Sequence, residues 1–120
     1  VALDHAKFAE VVELVGADDA GVLVVSLNNG VCEVIEKLET DWAIRQDGEV
    51  IAALAHKLAG TCALLGAVSL CRKLVAIQNG AKDGSLSRVA TVVKELSGEM
   101  ERTDAELTKA LAKIPGLTSF

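Results

Sequence analysis

A chain of 120 residues, 51% of them hydrophobic, is long enough for one compact domain with a buried core and too short for two. Its net charge of −5, with Lys and Arg scattered, excludes an electrostatic nucleic-acid surface, because phosphate binding needs clustered cations. Only Phe8, Trp42 and Phe120 are aromatic, so aliphatic side chains must fill the interior.

In chain order, the first predicted element is a short amphipathic helix from Asp4 to about Leu14, with Leu3, Phe8, Val11 and Val12 on its apolar side and Gly16 as its stop. Asp18 or Asp19 is then expected to cap a second helix. Its stripe reads Val24, Leu27, Val31, Val34/Ile35 and Leu38. Asn28-Asn29-Gly30 is a turn signal in the middle, but the apolar register runs across it unbroken, which favours one helix. Thr40-Asp41-Trp42 is read as its end, and a polar connection leads to Asp47 as the cap of a third helix reaching Leu65. Gly66 interrupts, and a fourth helix covers Val68 to about Asn79. After Gly80 and Lys82-Asp83-Gly84, Ser85 or Ser87 starts a long last helix. Its stripe is Leu86, Val89, Val93, Leu96, Met100, Leu107, Leu111 and Ile114, and Pro115-Gly116 ends it. Residues 1–120 are therefore expected to form a single all-α domain, an antiparallel up-and-down four-helix bundle with a short accessory N-terminal helix.

No apolar run approaches the roughly 20 residues that span a bilayer, and no charged-then-apolar leader is seen, which points to a soluble protein with no membrane partner. Cys32, Cys62 and Cys71 form no C-x-x-C pair, and only His5 and His56 accompany them as softer ligands. They are read as small buried thiols in a reducing, cytoplasmic setting, and no metal site is expected.

The third helix carries the chemistry. If Leu54, Leu58, Cys62 and Leu65 face inward, His56 lies about 200° around the helix from Leu54 and faces outward. Its neighbours there are Ala52, Ala53, Ala59, Gly60 and, one turn on, Ala63. Exposed helix faces are normally filled with long charged side chains. A bare strip lets a partner approach the backbone closely while one imidazole reaches into the partner's site. The same spacing also fits an alanine face packed on a neighbouring helix, with His56 hydrogen-bonded and partly buried. Spacing alone leaves both open.

The segment "AHKLAGTCALLGA", residues 55–67, resembles the signature of histidine-containing phosphotransfer (HPt) domains, approximately A-H-x-L-K-G-S-x-x-x-x-G-A. Ala55, His56, Leu58, Gly60, Gly66 and Ala67 fall on the pattern, Thr61 replaces the usual serine, and Ile77-Gln78-Asn79 extends the likeness downstream. The resemblance implies that His56 accepts a phosphoryl group from the aspartyl phosphate of one receiver domain and passes it to another. The implied partners are response-regulator receivers and a hybrid sensor histidine kinase. Magnesium is carried by the receiver, no cofactor is bound by this chain, and the protein acts as a monomeric phosphohistidine carrier. Ala52, Ala53, Ala59, Gly60, Ala63 and Gly66 would form the docking face.

The family's basic residue falls at Ala59 here. Lys57, or Gln78 and Lys82 if the fourth helix continues through Gly80, would supply the phosphate environment, with Thr61 nearby. The Trp42-to-His56 spacing is also longer than the common "DW…AH" arrangement. Two rivals stand beside the relay reading. A kinase dimerisation domain usually has an acidic residue directly after its histidine, where Lys57 stands, and no G-x-x-x-x-G-K-[ST] loop supports autonomous ATP-dependent kinase activity. A non-transferring helical module would dock receivers without accepting phosphate.

Overall fold

The computed structural model describes residues 3–38, 48–84 and 86–112. Those residues form five helices, α1 (His5–Val15), α2 (Ala17–Lys37), α3 (Gly48–Leu65), α4 (Val68–Asp83) and α5 (Leu86–Ala112). The expected features at Thr40–Trp42, Asp47, Ser85 and Ile114–Gly116 lie outside the described residues.

Helix α1 begins because the Asp4 carboxylate accepts the Lys7 backbone N–H at 3.1 Å, satisfying a donor that the first turn leaves free. It buries Phe8, Val11 and Val12 and ends at Gly16, whose φ of 88° turns the chain directly into α2. This tight junction leaves no place for the expected cap. Asp18 and Asp19 instead sit in the first turn of α2, where negative charge meets the positive end of the helix dipole.

Helix α2 runs continuously through Asn28-Asn29-Gly30 and buries Ala20, Val24, Leu27, Val31 and Val34. Gly30 faces α3 so closely that an added methyl would collide with the Leu58 side chain. Helix α3 packs on α1, α2 and α4 at once. Contact on three sides widens its buried face to Ile51, Ala52, Ala55, Leu58, Ala59, Cys62 and Leu65. Leu54 is only half-buried, so the inward direction passes through Ala55 rather than through the expected Leu54. Among the described residues α3 is also the one helix long and apolar enough to cross a membrane, contrary to the reading that no run approaches that length.

At Gly66 (φ 78°) the chain reverses into α4. The Gly66 carbonyl accepts the Asp4 N–H at 2.7 Å, which ties the start of α1 to the α3–α4 turn. Helix α4 extends past the expected end at Asn79. Gly80 is buried within it, and the stop comes at Gly84, in the left-handed conformation with φ 72°. Helix α5 packs on α2 and α4 and buries Val89, Leu96, Met100 and Leu107, with Val93 and Leu111 at the core edge. It also buries Glu99, which accepts the Ser69 hydroxyl at 2.5 Å, and Thr103.

The cysteines divide. Cys62 is fully buried and Cys71 half-buried, but Cys32 is exposed on α2, so the expectation of three buried thiols is corrected at that position.

Candidate functional site

His56 is exposed on α3, one position beyond the fully buried Ala55 and two before the buried Leu58. The helix itself turns the ring outward while its neighbours anchor the backbone. Across from it, α4 presents Gln78, whose amide nitrogen lies 3.1 Å from His56 Nδ1.

Two proton arrangements satisfy this pair. The amide N–H donates to a bare Nδ1, leaving the ring proton on Nε2. Alternatively the amide, turned over, accepts from Nδ1–H and leaves a lone pair on Nε2. In both, Nδ1 is engaged by Gln78, and the second alone leaves Nε2 with the lone pair that a nucleophile needs.

The ring lines an open groove of about 820 Å³ between the first half of α3 and the end of α4. Ala52 and Ala53 line it on the α3 side, and Gln78, Ala81 and Lys82 on the α4 side. Glu49 and Asp83 also line it, and sequence reasoning missed both. Glu49 precedes His56 by seven residues, two helical turns, so its place on the same face was available from spacing.

The other sequence-predicted site residues separate into three groups. Ala53, Gly60 and Ala63 are exposed along the His56 side of α3, as the bare strip requires. Ala52 and Ala59 are only 3% and 7% exposed, and Gly66 is buried against Asp4. Ala59 and Gly66 are corrected from docking surface to packing, the first because α3 is enclosed on three sides and the second because the turn lies against Asp4, while Ala52, though nearly buried, still lines the His56 groove. The Ala59 carbonyl accepts the Cys71 thiol at 3.5 Å, which marks Ala59 as part of the α3–α4 seam. Lys57 and Thr61 are not brought to the His56 groove. They line a second groove with Ser26, Asn29 and Glu33 of α2, and the Thr61 hydroxyl donates back to the Lys57 carbonyl at 3.4 Å.

Among the described residues no group of three or more His, Cys, Asp or Glu converges as a metal site would need. What the arrangement offers is a lone accessible imidazole, oriented by an amide, at the edge of an open groove. Such a group is a nucleophile for an incoming electrophile.

A family model described as the Hpt domain matches residues 26–112, from the middle of α2 through the end of α5. The chain belongs to the Hpt domain family. Membership of the Hpt family implies a function in phosphotransfer within two-component systems, where Hpt domains interact with receiver domains and kinases. The Hpt match includes His56, Gln78 and both grooves, and leaves α1 outside. No curated protein and no solved structure matched the chain.

Proposed function

We propose that this Hpt domain is a phosphohistidine carrier in a phosphorelay. His56 Nε2 attacks the phosphorus of a receiver's aspartyl phosphate. The N–P bond forms as the acyl O–P bond breaks, the receiver carboxylate leaves, and the proton on Nδ1 stays hydrogen-bonded to the Gln78 amide oxygen. The reverse step on a second receiver returns the group to an aspartate. The observation that supports this most is the exposed ring whose Nδ1 is held by Gln78 at 3.1 Å.

Ala53, Gly60 and Ala63 present little bulk beside the ring, which suits close approach of a folded partner. In this reading the receiver supplies magnesium and the acidic pocket, and a hybrid kinase supplies the phosphoryl group. The carrier binds no cofactor and has no ATP-dependent activity of its own. It works as a cytoplasmic monomer, a single domain over residues 1–120. Helices α2 to α5 form its antiparallel up-and-down bundle and α1 is accessory.

Incubation with a panel of phosphorylated receivers tests the reading. Wild-type protein should acquire a label lost in acid and stable in base. His56→Gln should keep its helical circular-dichroism signal and acquire none. Label retained by His56→Gln defeats the proposal. Receiver binding without any acid-labile label supports the non-transferring module instead, a reading that the alanine at position 59 favours.

A further inference from the structure

We infer that Cys71 of α4 and Cys62 of α3 form a dithiol site that a hydroperoxide oxidises to a disulfide joining the two helices. Neither residue lines the His56 groove. The site is therefore separate from the phosphotransfer centre, although it sits on the same pair of helices.

Three hydrogen bonds bring the two thiols together. In the turn between the helices, the Ala67 N–H donates to the Cys62 carbonyl at 2.9 Å, and the Ala67 carbonyl accepts the Cys71 N–H at 2.9 Å. The Cys71 thiol then donates across the seam to the Ala59 carbonyl at 3.5 Å. In an α-helix the carbonyl of one residue lies against the side chains three and four positions further on. Three on from Ala59 is Cys62, so the Cys71 sulfur reaches the base of the Cys62 side chain. Ala59 and Ala67 are both buried here, and such small side chains permit the close approach that a disulfide needs, with Cα atoms within about 7 Å. The thiols also influence one another electrostatically. After burial, Cys71 is the second cause that pushes the Cys62 thiol up to about 12. Cys32 has no such neighbour, since it lies beside Asn28 and lines a different groove with Met100 of α5.

Exposure divides the roles. Cys62 is fully buried, whereas Cys71 is half-buried and meets the oxidant. The Cys71 thiolate attacks one oxygen of hydrogen peroxide, the O–O bond breaks, water leaves, and Cys71 becomes a sulfenic acid. The Cys62 sulfur then attacks the Cys71 sulfur. The S–S bond forms as the S–O bond breaks, and the sulfenic oxygen departs as water with the Cys62 proton. Two thiols lose two electrons, and one peroxide takes them up. Cys62 releases its proton only in the second step, so a thiol that burial keeps protonated acts as the resolving partner and not as the attacking one. The bond pins α4 to α3 two turns from Gln78 and its hydrogen bond to His56.

The test treats the full chain carrying Cys32→Ser with hydrogen peroxide in native buffer, so that only the pair can react. The expected product is a monomer lighter by about 2 Da, the mass of the two hydrogens lost. Fragments cut after Leu65 should stay joined through Cys62 and Cys71 and separate on reduction with dithiothreitol. In the same background, Cys62→Ala should stop at a Cys71 sulfenic acid that dimedone traps, and Cys71→Ser should leave the Cys62 thiol unmodified. Circular dichroism of each variant separates these results from misfolding. A Cys71 oxidised on to sulfinic acid beside an intact Cys62 thiol, or a bond that forms only in urea or only between two chains, overturns the inference.

Discussion

An imidazole attacks through whichever nitrogen holds the lone pair, so the partner of the other nitrogen governs its reactivity. Gln78 is that partner for His56. Replacing it with alanine removes one neutral hydrogen bond, worth about 1 kcal/mol, and should slow the initial rate of phosphoryl acceptance about fivefold. Helical content should stay unchanged, and rates from a phosphorylated receiver check the effect. The cysteines give a second test at this scale. Burial, and to a lesser degree the neighbouring Cys71, push the Cys62 thiol up to about 12, whereas Cys32 is exposed. Since the thiolate is the reactive form, a thiol reagent on the native protein should modify Cys32 first and reach Cys62 only on unfolding. A mass-spectrometric time course reads the order.

Among the elements, the α1 to α3–α4 junction is the most exacting. Gly66 combines φ 78° with a carbonyl neighbour, since an added Cβ would lie 2.6 Å from the Asp4 oxygen. Gly66→Ala should cost about 2 kcal/mol or more, read as a lower midpoint in urea, because backbone must move as well as twist. Asp4→Ala removes the α1 cap and should cost about 1 kcal/mol. The start of α1 was legible from Asp4, and the continuity of α2 from an apolar spacing that Asn28-Asn29-Gly30 does not disturb. The end of α4 was not. Gly80 and Gly84 look alike as letters, and only burial of the first and the left-handed backbone of the second tell them apart.

For the whole molecule, the helical class followed from apolar periodicity and the matched family was already visible in residues 55–67, whereas spacing alone left His56 either outward or partly buried and the structure shows it exposed. The exact inward face of α3 did not follow, because a spacing rule assumes one packed side and α3 has three. The separation of Lys57 from Lys82 also needed tertiary structure, since it depends on which neighbour each groove shares with α3. The core makes a prediction of its own. An unfolded chain releases the Cys62 proton near the ordinary 9.0, while the folded chain holds it to about 12. The unfolded state therefore binds fewer protons in that window, and stability falls as pH rises from about 9 toward about 12. Below pH 9 the group contributes no slope. Thermal midpoints measured across this range should decline, and less steeply in Cys62→Ala.

The most direct measurement is nitrogen–phosphorus NMR on phosphorylated protein carrying ring-labelled histidine. Phosphorus bonded to Nε2 of His56, with Nδ1 still hydrogen-bonded, is the expected result. Phosphorus on Nδ1, or on any other side chain, contradicts the assignment of this imidazole and its Gln78 partner as the transfer site.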